Sequence, residues 1–265
     1  MIWIGTSWKM TKTLAEARAF VDGLVARRNA VDGVRAFVLP PHTAIAAVRE
    51  RLPADVGVIV GAQNAHWAAG GAYTGEVSMR MVADAGATMV EIGHSERRDH
   101  FGETDDDVAR KVSAAVAAGL TPLLCVGEPE EVRAVGGELE WVAGQVRLGL
   151  SRLAPRDRHR VVVAYEPVWA IGDAGREPRP GEIAPVMALL SAGCVPGERI
   201  EVAAVLYGGS VNLRNAESLL DVPGTDGLFV GRAAWRVEDF VELIRIGSGA
   251  GQSEGKGRRD VGAAW

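Results

Sequence analysis

Four side chains stand where apolar runs give way to polar sequence. "VVVAYE" (161–166) ends in Glu166, "GTSWKM" closes the first apolar run and delivers Lys9, and "GHSERR" closes another and delivers His94 and Glu96. A carboxylate that ends a buried strand loses its hydration, which is costly unless another group pairs with it or a reaction uses it. A carboxylate base beside a carbon next to a carbonyl can take a proton from that carbon. The enediolate that forms needs cationic or hydrogen-bond-donating groups at its oxygens, which Lys9 and a neutral His94 would supply. His94 opens a helical stretch, where the helix dipole disfavours the imidazolium. The glycine turns "YGGSV" and "VGR" close two later runs and expose backbone N–H groups suited to a phosphate. Each group alone has a plainer explanation: Lys9 as a solvated lysine beside Trp8, Glu96 as a first-turn carboxylate, Gly208, Gly209 and Gly231 as tight turns. Their joint placement favours one site that transfers a proton on a small phosphorylated carbonyl compound.

The elements that must position these groups are eight short apolar runs: 2–5, 34–39, 56–62, 88–93, 120–127, 161–166, 202–209 and 227–231. They are continuous rather than alternating, as expected of parallel strands covered on both faces. Amphipathic stretches such as "LAEARAFVDGLVARR" and "DDDVARKVSAAVAAG" lie between them and read as helices. Eight βα units in roughly 250 residues predict one α/β domain, a single (β/α)8 barrel over 1–246. The runner-up is an open, doubly wound sheet. In a barrel the chemistry gathers at the C-terminal ends of the strands, where Lys9, His94, Glu96, Glu166 and the glycine turns all fall. From Gly247 onward the glycine-rich sequence reads as a flexible tail, 247–265. Its GSGAG is no dinucleotide fingerprint, because no strand precedes it.

Composition narrows the function classes. The chain is 48% hydrophobic and 24% charged, enough for a sizeable globular core. A net charge of -5 argues against a nucleic-acid partner. No apolar run approaches the roughly 18 residues of a membrane span. "MIWIGTSWKM" has no basic n-region or cleavage pattern and reads as mature, cytoplasmic protein. Cys125 and Cys194 make no disulfide framework. Cys125, inside "LLCVG", reads as packing rather than as a catalytic thiol.

Seven motifs carry a family resemblance: "SWKM", "GHSERR", "FGETD", "CVGE", "AYEPVWAIG", "YGGSV" and "DGLFVG". In this order, over roughly 2–246, they resemble triosephosphate isomerase, the enzyme for which the TIM barrel is named. The resemblance implies that Glu166 is the base, His94 the electrophile at the carbonyl, and Lys9 the cation that holds substrate. Glu96 would orient these groups. Gly172, in a lid starting after the stiff hinge Pro167-Val168-Trp169, would donate its N–H to the phosphate, and Ser210 and Gly231 would complete the cradle. No metal and no organic cofactor is implied. The family's dimer loop matches 63–76, so a homodimer is expected, with Thr74 brought near the neighbour's lysine.

Three departures sit at the same site. Ser7 stands where the family has asparagine. The lid reads Asp173-Ala174-Gly175 where the family has threonine-glycine-lysine. Gly231-Arg232 replaces a glycine pair, which puts the Arg232 side chain within reach of a phosphate. With Lys9, His94, Glu96 and Glu166 intact, the changes resemble the erythrulose-phosphate branch of the family. That branch implies conversion of L-erythrulose 1-phosphate to D-erythrulose 4-phosphate. The alternatives are glycolytic interconversion of dihydroxyacetone phosphate and glyceraldehyde 3-phosphate, and an inactive barrel used for binding.

Overall fold

The computed structural model describes residues 1–27, 33–172, 175–195 and 198–252. Eight parallel strands close a barrel: β1 (Ile2–Ser7), β2 (Val34–Leu39), β3 (Ile59–Ala62), β4 (Met89–Ile92), β5 (Thr121–Val126), β6 (Val162–Tyr165), β9 (Ala204–Tyr207) and β10 (Gly227–Val230). Each pairs with its sequence neighbours in the barrel, and β1 closes it by pairing with β10, Gly5 opposite Phe229. The expected single (β/α)8 barrel is the fold. A two-stranded hairpin, β7 (Cys194–Val195) with β8 (Glu198–Arg199), interrupts the chain before β9 and was not anticipated from the sequence.

The continuous apolar runs have the physical cause expected of them, since both faces of each strand are covered. One core fills the barrel and includes Trp3, Phe37, Met89, Leu123, Cys125 and Phe229. A second, larger core lies between the strands and the outer helices. Helix α1 (Leu14–Val25) turns Ala17, Phe20, Val21 and Leu24 inward, one face of a helical period, and starts on a Thr13–Glu16 capping box. Further helices are α2 (Ile45–Arg51), α3 (Met79–Asp84), α4 (Ser95–Phe101), α5 (Asp105–Ala117), α6 (Glu130–Ala134), α7 (Glu138–Gly149), α8 (Pro180–Ser191) and α9 (Ala216–Leu220).

The C-terminal boundary differs from the expectation. Helix α10 runs Val237–Gln252, six residues beyond where the periodic pattern was read to end. Helix propensity alone disfavours "GSGAG", but packing overrides it. A Cβ on Gly247 would stand 2.9 Å from Ile4 Cγ1, so glycine lets the helix lie directly on β1. Residues 253–265 of the expected tail lie outside the described residues.

Candidate active site

The end of β1 places two of the site residues. Ser7 is its last residue, and Lys9 follows with φ 50, a left-handed backbone that non-glycine residues adopt rarely. Gln63, just past β3, holds that conformation: its Nε2 donates to Lys9 O at 2.9 Å and to Leu39 O at 3.0 Å. The Lys9 ammonium then reaches Glu96 Oε1 at 2.5 Å. Burial raises the Glu96 pKa, but the hydrogen bond and charge of Lys9 outweigh it and leave the carboxyl below its ordinary value.

His94 caps α4. Its Nδ1 accepts from the Glu96 backbone N–H at 3.1 Å, so the ring proton of the neutral tautomer lies on Nε2. Nε2 faces Glu166 Oε2 at 3.9 Å. The turn that carries His94 is fixed from below. Gly93 N–H donates to Glu103 Oε1 at 3.1 Å, while Arg97 and Lys111 donate to Glu103 Oε2 at 2.7 and 2.5 Å. This gives "FGETD" a structural role, because its glutamate is the anchor of the histidine turn.

Glu166 follows the last residue of β6. Its N–H donates to Val126 O at 2.7 Å, and its side chain is buried. Among the described residues Oε2 has no hydrogen-bond partner.

The turn after Glu166 is tied to the barrel wall through a second buried carboxylate. Glu128 Oε1 accepts from Trp169 Nε1 at 2.7 Å, from the Tyr165 hydroxyl at 3.1 Å and from Arg133 Nη1 at 3.3 Å. The guanidinium carbons of Arg133 and Arg176 lie 4.6 and 4.2 Å from the Trp169 ring centroid. Gly172 has φ 77, a left-handed backbone that suits glycine. Asp173 and Ala174 lie outside the described residues. Further along the chain, Glu177 accepts from Asn212 Nδ2 at 2.8 Å and from Arg214 at 2.9 Å, linking it to the segment after β9.

One cavity of about 460 Å³ joins these parts. Ser7, Lys9, His94, Glu96, Glu166, Gly172, Ser210, Gly231 and Arg232 all line it. Thr74 does not; it lies exposed on the loop 63–76. Trp235 also lines the cavity, and its Nε1 donates to Ser7 O at 2.9 Å. Among the described residues no cluster of three or more His, Cys, Asp or Glu could hold a metal ion.

The sequence reading missed Glu91, on β4. It is 3% exposed, and Ser7 Oγ donates to its Oε2 at 2.9 Å. Burial above all, with the like charge of Glu166, pushes its carboxyl up to about 7 against the opposing charge of His94. A signal was present: a carboxylate inside the apolar run "TMVEIG" meets the same desolvation argument that singled out Glu166.

The family profile described as triosephosphate isomerase matches residues 2–247. The chain belongs to the triosephosphate isomerase family. It is an isomerase of that family, as its sequence motifs implied. Curated relatives are named L-erythrulose-1-phosphate isomerase. That of Rhizobium rhizogenes is 47% identical over 246 residues, covering 91% of this chain and 93% of the relative. That of Mycolicibacterium smegmatis is 45% identical, covering 92% of each chain. That of Brucella abortus is 46% identical, covering 91% of this chain and 94% of the relative.

Proposed function

We propose that this triosephosphate isomerase family member interconverts L-erythrulose 1-phosphate and D-erythrulose 4-phosphate. Glu166 takes the proton from C3, and the electron pair forms a C2–C3 double bond while negative charge moves to the former carbonyl oxygen. His94 Nε2–H and the Lys9 ammonium stabilise that oxygen, and Glu96 orients both. The enediol oxygen on C3 then loses its proton as the new carbonyl forms, O2 gains one, and Glu166 returns a proton to C2. Atoms and electrons balance, so the reaction asks for no redox group, metal or organic cofactor.

The N–H of Gly172, the turn at Ser210 and the Gly231-Arg232 turn hold the phosphate. Closure of the lid over the enediol keeps water from the electrostatic contacts and from the reactive phosphate ester.

The observation that carries the four-carbon reading is Ser7 on the cavity wall. The substrate is dihydroxyacetone phosphate with one hydroxymethyl added at the reacting carbon, and serine leaves room where the family's asparagine would stand. The names of the curated relatives support the same substrate. The test is turnover of L-erythrulose 1-phosphate and of glyceraldehyde 3-phosphate by one preparation. A strong preference for the triose phosphate would overturn the four-carbon reading in favour of the glycolytic one, and no turnover of either would leave a binding barrel.

The working assembly we infer is a homodimer in the cytoplasm. Met10, beside Lys9, is 98% exposed, and Tyr73 stands half exposed on the loop with Thr74. Apolar and aromatic surface of this kind is what an interface covers. Light scattering of the purified protein decides between monomer and dimer. No described helix is long and apolar enough to cross a membrane.

A further inference from the structure

We propose that Glu91 is a positioning residue for substrate choice, holding Ser7 so that its hydroxyl oxygen accepts a hydrogen bond from the extra hydroxymethyl of the four-carbon substrate. The inference rests on the substrate reading above.

The geometry carries it. A serine hydroxyl has one proton, and that of Ser7 is committed to Glu91 Oε2 at 2.9 Å. What Ser7 Oγ then offers the cavity is lone pairs. A triose phosphate has only hydrogen on the carbon where the four-carbon sugar carries CH₂OH, so it leaves this acceptor without a partner from the substrate. Sites built to hydrogen-bond a substrate hydroxyl reject analogues that lack it more strongly than apolar pockets reject a missing methylene.

Glu91 itself lies behind Ser7, is not part of the cavity wall, and acts through its neighbour. Its placement makes little sense as packing. It shares the inward face of β4 with Met89, two residues before it, and stands opposite Leu123 of β5, inside the barrel. No ion pair involves it among the described residues, although a lone buried carboxylate is costly to fold around. The charged or titratable groups facing it are His94 beyond its own strand, Lys9 beyond β1 and Glu166 beyond β6. Cys125 of β5 also senses it. Lys9, His94 and Glu166 act on the chemistry common to both substrates, so their effects cancel in a ratio of the two. Ser7 touches the part that differs.

The experiment measures kcat/KM on L-erythrulose 1-phosphate and on glyceraldehyde 3-phosphate for the unmutated enzyme, Glu91→Leu, Ser7→Ala and the double variant. Glu91→Leu should lower the four-carbon to three-carbon ratio at least about tenfold, the scale of one lost substrate contact, chiefly through the KM of the four-carbon sugar. The double variant should lose no more than Ser7→Ala alone, because both changes remove one interaction. A ratio unmoved in Glu91→Leu, or losses that multiply in the double variant, overturns the inference while leaving the substrate reading in place.

An unmutated enzyme that prefers triose phosphate overturns both. Should Glu91→Leu fail to fold, the pH dependence of the ratio decides. Both substrates carry the same phosphate, so its titration cancels. The ratio should rise between pH 6 and 8 as Glu91 becomes a carboxylate, and Ser7→Ala should be flat over that range. A flat ratio in the unmutated enzyme, or a rise kept in Ser7→Ala, overturns the inference.

Discussion

Gly208 lies flat against the side chain of Glu166: a Cβ at this glycine would stand 2.7 Å from Glu166 Cγ and 2.8 Å from Oε1. The turn after β9 therefore limits where the Glu166 carboxylate can sit, while His94 Nε2 faces its other oxygen at 3.9 Å.

Gly208→Ala should keep the barrel and push the carboxylate aside. Glu166→Asp moves the same carboxylate by about one bond length in retraction. Displacements on that scale cost on the order of a hundredfold in rate. Both variants should lower kcat about that much and change KM far less, because the base acts mainly in the transition state. Steady-state kinetics checks this, and near-normal turnover in Glu166→Asp would remove Glu166 from its role.

Ser7→Asn restores the triosephosphate isomerase side chain on the cavity wall. The larger group should crowd the hydroxymethyl of the four-carbon sugar and give the three-carbon one an added hydrogen-bonding partner. A difference of this kind is worth about 1–3 kcal/mol, so the turnover ratio should shift toward triose phosphate at least about tenfold. If the ratio stays put, Ser7 does not set specificity.

Arg232→Gly tests the phosphate turn. Loss of the guanidinium should raise the inhibition constant for inorganic phosphate and the substrate KM together. The effect should be larger at low ionic strength, where screening is weakest. An unchanged phosphate inhibition constant would mean that backbone donors alone hold the anion.

Glu91 makes stability depend on pH. Burial above all pushes it up to about 7 from an unfolded value of 4.5. Between these values the folded protein holds a proton that the unfolded chain has released. The contribution is therefore fully present below about pH 4.5 and is lost as pH rises to about 7. Glu91→Gln has no such proton. Its unfolding free energy should gain on that of the unmutated protein across this window, by on the order of 3 kcal/mol at about 1.4 kcal/mol per pKa unit. Urea denaturation of both proteins at pH 4.5, 5.5 and 7.5 measures the gap, and a constant gap contradicts the assignment.

The eight strands and their order were legible because strands covered on both faces cannot alternate with polar residues, and β6 is buried at every position. Lys9, His94 and Glu166 were legible because a charged group at the end of such a strand is hard to place for nothing. Gln63 was not, since its grip on Lys9 O spans 54 positions of sequence and exists only once β1, β2 and β3 are side by side. Glu128 was hidden for a like reason: its partners Tyr165 and Trp169 come from β6 and the turn beyond it. The helical course of residues 247–252 was hidden because local propensity says loop, while the packing of Gly247 against Ile2 and Ile4 of β1 is visible only in the fold.

Cys125 shares the barrel interior with two acidic neighbours. Its thiol is 1% exposed and raised well above its ordinary value, first by burial and then by the negative charges of Glu166 and Glu91. Oxidants and alkylating agents attack the thiolate, and these surroundings suppress it. A sulfur placed beside Glu166 is thus kept in its least reactive form, and the two buried carboxylates that line the barrel interior also shield it from oxidation.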